Sequence, residues 1–111
     1  MNRRLSIMSL ALAGAAGLWF AASGVAAGPS SKQTVIIEGT SYKPATITVK
    51  RGESVTWINR DPFPHTVTAA GAFDSKSIAA GARWTFRPTK AGEFPYICTL
   101  HPNMKGTIKV E

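Results

Sequence analysis

The sequence predicts an all-β domain, a sandwich or barrel of about seven or eight short strands. Three observations lead to this prediction. β-branched and aromatic residues alternate with polar residues in short runs. Gly, Pro, Asn and Asp separate these runs about every 8 to 12 residues. From Gln33 onward no segment keeps a helical period, so helices are not expected to build the core.

Three strands are predicted in the first half of the domain. The first spans residues 34–38, is rich in β-branched residues and is followed by Gly39. The second, at residues 45–50, and the third, at residues 53–59, alternate between apolar and polar side chains. Gly52 lies between them, and glycine tolerates a positive φ. We therefore expect the turn at residues 51–53 to join them as a hairpin.

A stiff loop follows the third strand. Pro62 and Pro64 flank Phe63, and two prolines so placed exclude a central strand. The loop leads to His65, after which residues 66–68 predict another strand. Residues 69–81 have small side chains and weak periodicity. The sequence therefore does not decide between a helical turn and an irregular sheet edge at residues 75–80. The last three strands are predicted at residues 82–86, 93–98 and 106–110.

The expected core consists of the apolar residues at alternating positions of these strands. Trp and Phe side chains at such spacing more often fill a core than contact a cofactor, and we interpret them in that way. The expected core residues are Val35, Ile37, Ile47, Val49, Val55, Trp57, Val67, Trp84, Phe86, Phe94, Ile108 and Val110.

The N-terminal residues predict an export signal. Arg3 and Arg4 give a basic start, an apolar run spans residues 5–20, and the small residues at 25–27 suit a signal peptidase. We expect cleavage after Ala27, which leaves residues 28–111 as one periplasmic domain with no membrane insertion. An uncleaved anchor is the alternative, but the apolar run is short of the ~20 residues of a spanning helix. Both the general and the twin-arginine export routes stay open.

Charge and cysteine content narrow the classes of function. The chain has 13 Lys and Arg against 6 Asp and Glu, and a formal net charge of +7. After residue 27 the basic residues are scattered, with no cluster and no recognised nucleic-acid-binding motif, so the charge favours acidic protein partners over nucleic acid. The single cysteine cannot form an internal disulfide. In an exported protein it implies an intermolecular bridge, a reactive thiol or a metal ligand.

Potential metal ligands concentrate between the last two predicted strands. Cys98, His101 and Met104 supply a thiolate, an imidazole and a thioether on one short loop. His65 supplies the other imidazole, since the chain has 2 His. Thiolate, thioether and imidazole ligands favour copper over calcium, magnesium or manganese, which prefer oxygen. Zinc is also compatible with the Cys and His ligands, but it would have no redox activity.

The segment Cys98-Thr99-Leu100-His101-Pro102-Asn103-Met104 resembles the ligand loop of the cupredoxins, the blue copper proteins. Its short Cys-x-x-His-x-x-Met spacing is most similar to that of the amicyanin group, and the resemblance extends over residues 28–111. It implies a Greek-key β-sandwich with one type 1 copper ion near one end. It also implies His65, Cys98 and His101 as equatorial ligands and Met104 as the axial ligand, with electron transfer by Cu(II)/Cu(I) cycling.

Two positions depart from the family pattern. Many members have Asn after the upstream histidine, where its side chain links the two ligand loops, whereas this chain has Thr66. We expect the shorter hydroxyl to make only part of that link. A Pro often precedes the histidine of the C-terminal loop, whereas this chain has Leu100. Leu100 retains an N–H that we expect to bond the Cys98 sulfur and favour Cu(I), so Leu100→Pro is expected to lower the reduction potential.

The expected function is that of a monomeric electron carrier between larger redox proteins, a dehydrogenase or cytochrome-type donor and acceptor. A small apolar docking face is expected around His101, because weak redox encounters use small interfaces. Its residues are Pro62, Phe63, Pro64, Leu100, Pro102 and Asn103. Copper trafficking or resistance is the alternative, although the domain has no Met-rich or His-rich tract. An enzyme is not expected, because both histidines are ligands and no open coordination position remains.

Overall fold

The computed structural model describes residues 32–111, and the export signal expected at residues 1–27 lies outside the described residues. Nine strands and no helix occur in the described part. The strands are β1 (Lys32–Ile37), β2 (Tyr42–Lys43), β3 (Thr46–Val49), β4 (Ser54–Asn59), β5 (Thr68–Ala69), β6 (Phe73–Asp74), β7 (Arg83–Phe86), β8 (Gly92–Ile97) and β9 (Lys105–Val110). Within these residues no helix is long and apolar enough to cross a membrane. The all-β prediction is confirmed, and three of the nine strands have only two residues.

The strands form two sheets that enclose one core. The four-stranded sheet has the order β2-β1-β4-β7, and the five-stranded sheet has the order β3-β9-β8-β5-β6. Two neighbouring pairs are parallel, β1 with β4 and β3 with β9. The remaining pairs are antiparallel. The chain therefore crosses between the sheets several times, which brings segments distant in sequence into contact.

The turn at residues 51–53 is not a hairpin turn, and that prediction was wrong. β3 lies in the five-stranded sheet and β4 in the four-stranded sheet, so the turn passes the chain from one sheet to the other. Gly52 has a φ of 90°, the conformation for which glycine was expected. Alternation of apolar residues specifies the buried face of each strand, but it does not specify the neighbouring strand.

The region between β4 and β7 is irregular. The strand expected at residues 66–68 overlaps the observed β5, Thr68–Ala69, only at Thr68. His65 forms an isolated antiparallel bridge with Ile78. Residues 75–80 adopt an irregular edge and no helical turn, which resolves the alternatives left open by the sequence.

The core combines residues of both sheets. Trp57 of β4 and Tyr96 of β8 are fully buried, and the Trp57 indole N–H donates to the Tyr96 hydroxyl at 3.1 Å. Trp84 and Phe86, expected in the core, are only partly buried because β7 is the edge strand of its sheet. Phe94 is also partly buried, and the other nine expected residues are buried. Apart from the predicted ligand Met104, three large core residues were not in the predicted set, Tyr42, Ile78 and Tyr96.

Four strand ends meet at one end of the sandwich. Ile37, the last residue of β1, is paired with Asn59, the last residue of β4. Ile97, the last residue of β8, is paired with Lys105, the first residue of β9. The loops at residues 38–41, 60–67 and 98–104 leave the sheets here, and hydrogen bonds join them to one another.

Candidate metal centre

Three of the four predicted ligands converge at this end of the sandwich. The Sγ atom of Cys98 lies 3.7 Å from Nδ1 of His65 and 3.8 Å from Nδ1 of His101. The three potential donor atoms all lie within 4.8 Å of one another. Cys98 and His65 are fully buried, and His101 is half-buried. A single ion can therefore contact all three donors while only the His101 side faces solvent.

The fourth predicted ligand, Met104, is buried at the end of the same loop. The loop is closed by three backbone hydrogen bonds that involve only predicted ligands. The N–H of His101 donates to the carbonyl of Cys98 at 3.2 Å, and the N–H of Met104 donates to the carbonyl of His101 at 2.9 Å. The N–H of Cys98 donates to the carbonyl of Met104 at 3.2 Å. This closed loop fixes the relative positions of three ligands, which come from one short stretch of sequence.

His65 is placed by the loop that follows β4. Its backbone exchanges two hydrogen bonds with Ile78, at 3.2 and 2.7 Å. The buried side chain of Asn59 orders the preceding residues, since its Nδ2 donates to the carbonyls of Phe63 and Ile78, each at 2.9 Å. Its Oδ1 accepts the N–H of Asp61 at 2.9 Å. The proline-flanked loop is thus held from inside the protein by one amide side chain.

The second nitrogen of His65 contacts a buried carboxylate. Nε2 of His65 lies 2.8 Å from Oδ2 of Asp61. The Asp61 carboxylate also accepts the N–H of Gly39 at 2.7 Å and the N–H of Thr40 at 2.9 Å. Burial alone would raise the pKa of Asp61, but these backbone bonds and His65 lower it below its ordinary value. The ionised carboxylate accepts the Nε2 proton, which leaves Nδ1 with the free lone pair that a metal needs.

The Cys98 sulfur accepts a backbone hydrogen bond from Thr66. The N–H of Thr66 donates to Sγ at 3.3 Å. Within residues 32–111 the N–H of Leu100 makes no such bond to Sγ. The expectation that Leu100 donates to the sulfur is therefore not supported, and the reason to expect a lower potential for Leu100→Pro disappears. The backbone donor to the Cys98 sulfur is therefore Thr66 of the loop that contains His65, and not Leu100 of the C-terminal loop.

Thr66 also links the two ligand loops through its side chain. Oγ1 of Thr66 accepts the N–H of Thr99 at 2.9 Å and lies 3.3 Å from Oγ1 of Thr99. The link that many cupredoxins make with Asn is thus made here by a hydroxyl. Thr66 joins the loops twice, by its N–H to the sulfur and by its oxygen to the residue after the cysteine.

The distances fit a metal ion between these donors. A metal with one sulfur at ~2.3 Å and one nitrogen at ~2.0 Å, at a ligand angle of about 110 to 120°, separates the sulfur and nitrogen by about 3.5 to 3.7 Å. The observed separations of 3.7 and 3.8 Å match this range closely. The donor set of one thiolate, two imidazoles and a nearby thioether is the set typical of blue-copper sites.

Two tyrosines form the floor beneath the centre. Their rings pack edge to face, with ring centroids 4.7 Å apart, and the Tyr42 hydroxyl donates to the carbonyl of Thr66. Burial and the nearby Cys98 raise the pKa of Tyr42. Burial raises the pKa of Tyr96 to about 12, and the Trp57 hydrogen bond opposes this rise. Both tyrosine hydroxyls are therefore neutral at neutral pH, and neither places a negative charge near the Cys98 sulfur.

Apolar side chains surround the exposed edge of His101. Phe63 is 40% exposed and Leu100 is 52% exposed. The Phe63 ring lies 5.5 Å from the His101 ring and 5.2 Å from the His65 ring, centroid to centroid. Pro62, Pro64, Pro102 and Asn103 are also exposed around this point. All six residues of the expected docking face are therefore at the surface.

Two buried polar residues of the site were missed in the sequence. Asn59 and Asp61 flank Arg60 at the end of β4, directly before the first proline of the loop. Asn and Asp are frequent turn residues because their side chains bond nearby backbone groups. The sequence did contain a signal for these two residues. Both precede the proline-rich loop that leads to the candidate ligand His65. The sequence alone gives no means to foresee their burial.

Known proteins resemble this chain over most of its length. A family model for the cupredoxin-like domain matches residues 10–110. Amicyanin of Paracoccus denitrificans is 35% identical over 98 residues, which cover 83% of this chain and 72% of that protein. Amicyanin of Paracoccus versutus is 32% identical over 89 residues, covering 75% of this chain and 67% of that protein. Plastocyanin of Scenedesmus fuscus is 31% identical over 88 residues, covering 63% and 86% respectively.

Solved structures of amicyanin variants have the same fold. The Cu(I) form of a methionine-to-alanine variant aligns with a TM-score of 0.68 at 36% identity, covering 83% of this chain and 90% of the other. An oxidised proline-to-alanine variant aligns with a TM-score of 0.67 at 34% identity, covering 71% and 81%. A reduced tryptophan-to-tyrosine variant has a TM-score of 0.66 at 33% identity, covering 70% and 80%.

Proposed function

This chain belongs to the cupredoxin-like family, and we propose that it is a type 1 copper protein that carries single electrons between larger redox proteins. The main support is the convergence of the His65, Cys98 and His101 donor atoms within 4.8 Å at one end of the sandwich. The amicyanin structures similar to this chain include Cu(I), oxidised and reduced forms. A protein with the same fold and donor set is suited to the same one-electron chemistry.

We assign the ligands by atom. Nδ1 of His65, Sγ of Cys98 and Nδ1 of His101 would hold the copper ion strongly, and the Met104 thioether would be a weaker fourth ligand. When bound, copper supplies one-electron chemistry by alternating between Cu(II) and Cu(I). Zinc would fit the same donors and would give an inactive protein.

The surrounding residues keep these donors in place. Asp61 holds the Nε2 proton of His65, and Thr66 donates to the Cys98 sulfur. Asn59 orders the loop that contains His65. Donors that are fixed by hydrogen bonds need little rearrangement when the oxidation state changes, which favours fast transfer. Burial of Cys98 and His65 also excludes water from the thiolate.

The half-buried edge of His101 is the proposed point of electron entry and exit. Phe63 and Leu100 present an apolar surface around it, and such a surface suits brief contact over a small area. Without Arg3 and Arg4, residues 28–111 have 11 Lys and Arg against 6 Asp and Glu, and this net charge of about +5 would favour acidic partners and speed the encounter. The proposed partners are a dehydrogenase or cytochrome-type donor and acceptor, and the protein would act as a monomer.

Export is part of the proposal. Residues 1–27 have the basic start, apolar run and small-residue end of a signal peptide, which supports cleavage after Ala27 and a periplasmic location for residues 28–111. The N-terminal mass of the protein recovered from a periplasmic extract tests this directly. A mature chain beginning at Gly28 is the expected result, and a retained leader would contradict it.

Copper handling is not favoured as the function. Cys98 and His65 are fully buried, so copper exchange with another protein would require the site to open. We also propose that the chain is not an enzyme, since its four ligands leave no open coordination position. Transfer of Cu(I) to a strong chelator separates these functions, because slow release supports the electron carrier and rapid release supports copper handling.

Electron transfer through the apolar face is tested by comparing two variants. Leu100→Ala shortens an exposed side chain beside His101, whereas Ile97→Ala shortens one that is 36% exposed on β8. We expect Leu100→Ala to slow second-order electron transfer to an acidic redox protein several-fold without changing the copper spectrum. Ile97→Ala is the matched control and should leave the rate unchanged. Equal rates for the wild-type protein and Leu100→Ala would reject this face.

A further inference from the structure

The Thr66 hydroxyl belongs to a longer chain of polar side chains. Its oxygen lies 2.9 Å from Oγ1 of Thr68, and Oγ1 of Thr68 lies 3.2 Å from Oδ1 of Asp74. Thr68 is half-buried in β5 and is paired with Ile97, the residue before the ligand cysteine. The chain of side chains therefore runs from the ligand loops to β6 at the edge of the five-stranded sheet.

The direction of these hydrogen bonds follows from Asp74. A carboxylate only accepts, so the Thr68 hydroxyl donates its single proton to Asp74. The Thr68 oxygen then accepts the proton of Thr66. With its own proton so engaged, the Thr66 oxygen presents a lone pair to the N–H of Thr99. Each hydroxyl is oriented by the next, and hydrogen bonds in such a chain strengthen one another.

Asp74 is itself fixed by Lys76. The backbone N–H of Lys76 donates to Oδ1 of Asp74 at 2.8 Å, and the Lys76 ammonium lies 3.7 Å from Oδ2. The backbone bond from Lys76, with the Thr68 hydroxyl bond, lowers the pKa of Asp74 below its ordinary value. The carboxylate is therefore ionised at neutral pH and acts as a permanent acceptor at the outer end of the chain.

We propose that Thr68 is a positioning residue for the metal centre, oriented by Asp74, which fixes the Thr66 hydroxyl so that the two ligand loops stay joined. Neither residue is one of the four predicted ligands. Loss of the Thr68 hydroxyl frees the Thr66 hydroxyl to rotate and weakens its bond to Thr99. Because Thr66 also donates its N–H to the Cys98 sulfur, the sulfur loses part of the donation that favours Cu(I).

The first test compares two threonine-to-valine variants of the whole protein. Thr68→Val keeps the shape of the side chain and removes the hydroxyl. Thr56→Val is the control, because Thr56 is a half-buried residue of the four-stranded sheet whose hydroxyl lies 2.8 Å from that of Thr85 on the neighbouring strand β7. We expect Thr68→Val to speed amide hydrogen exchange of Thr99 about fivefold, the effect of one ordinary hydrogen bond. Thr56→Val should leave that rate unchanged.

Two internal comparisons separate positioning from general destabilisation. The Thr107 amide donates to the carbonyl of Ala45 at 2.8 Å, away from the ligand loops, and its exchange should not change in Thr68→Val. Thr68→Ser restores the hydroxyl and should restore slow exchange of Thr99. Equal acceleration at Thr99 and Thr107, or no rescue by serine, would overturn the proposal.

A double variant tests the order of the chain. Asp74→Ala should speed Thr99 exchange less than Thr68→Val, because the Thr68 hydroxyl remains. In the double variant, Asp74→Ala should not speed Thr99 exchange beyond the rate of Thr68→Val alone, because Thr68→Val already breaks the link between the two side chains. Additive effects would show that the two side chains act independently and would contradict the proposed chain.

The copper-loaded protein supplies a second readout, which rests on the proposed function. Thr68→Val should lower the reduction potential, and Thr56→Val should not. An unchanged potential with an intact blue colour would overturn the effect on the thiolate while leaving the proposed function in place. If the wild-type protein binds no copper, the proposed function fails, and the exchange rates of the metal-free protein still decide the role of Thr68.

Discussion

Oδ2 of Asp61 lies 2.8 Å from Nε2 of His65, and both side chains are buried. The same carboxylate accepts the N–H groups of Gly39 and Thr40. Thr40 has a φ of 58°, unusual for a β-branched residue, and its N–H points to Asp61 in this conformation. One carboxylate therefore joins the turn after β1 to a ligand histidine.

Asp61→Asn should weaken metal binding. Three N–H donors face this side chain, and an amide has only one accepting oxygen, so at least one donor loses its partner. We expect metal affinity to fall about 10- to 100-fold, as for other partners of ligand histidines. The unpaired buried donor should lower the free energy of unfolding by about 1 to 3 kcal/mol. Competition with a chelator and urea unfolding measure the two effects.

The control for Asp61→Asn is Glu93→Gln. Glu93 lies 3.9 Å from the Lys109 ammonium in an exposed ion pair, which should contribute less than about 1 kcal/mol. Metal affinity should be unchanged in Glu93→Gln. Equal affinities of wild-type protein and Asp61→Asn would show that the carboxylate does not orient His65.

Gly106→Ala should destabilise the floor of the site. Gly106 is paired with Tyr96 across β8 and β9, and a Cβ at this position would lie under 3.0 Å from two ring carbons and the hydroxyl oxygen of Tyr96. Overpacking of this kind costs about 1 to 3 kcal/mol of the free energy of unfolding. In a Tyr96→Leu background the same substitution should have little effect. A Gly106→Ala protein as stable as wild type would contradict the close approach.

Alkaline pH should destabilise the protein through Tyr96. Burial raises its pKa to about 12 from an ordinary value of 10.0, so the folded state holds the hydroxyl proton more tightly than the unfolded state. The associated stability is complete below pH 10 and is lost as the pH rises through about 12. The free energy of unfolding should fall less steeply with pH in Tyr96→Phe. Parallel pH profiles for the two proteins would refute this assignment.

Acid pH should remove the contribution of Asp74 to stability. Its pKa is lowered in the folded state, chiefly by the Lys76 backbone N–H, so the unfolded state binds the proton more readily. The stabilisation is present above the ordinary pKa and is lost as the pH falls through the lowered value. The difference in unfolding free energy between wild type and Asp74→Asn should therefore shrink below about pH 4. A difference that stays constant from neutral to acid pH would exclude this origin.

The sequence predicted the six strands of four or more residues because each one is marked by its own residues, whereas the two-residue strands β2 and β6 were not predicted. The alternation in 45–50 and 53–59 placed β3 and β4 within one residue of their observed ends. The turn between them was misassigned because alternation reports a buried face and not a strand partner. The parallel pairing of β1 with β4 and of β3 with β9 depends on the same long-range information.

The candidate ligands were predictable for a different reason. His65, Cys98 and His101 are residue types with strong metal chemistry, and the spacing from Cys98 to Met104 is specific. The residues that hold them were harder to foresee, because Asn59 and Asp61 are ordinary loop residues until the fold buries them. Thr66 was recognised as a departure from the family. Its hydrogen bond to Thr99 required the structure, since only the fold shows that a hydroxyl reaches across the two loops.

Addition of Cu(II) to the purified protein is the most direct test of the proposed centre. The wild-type protein should develop an intense blue or green thiolate-to-copper charge-transfer band, with one copper ion bound per chain. The band should be absent in Cys98→Ser and should disappear on reduction to Cu(I). A colourless wild-type protein, with a spectrum identical to that of Cys98→Ser, would contradict the assignment of a type 1 copper site.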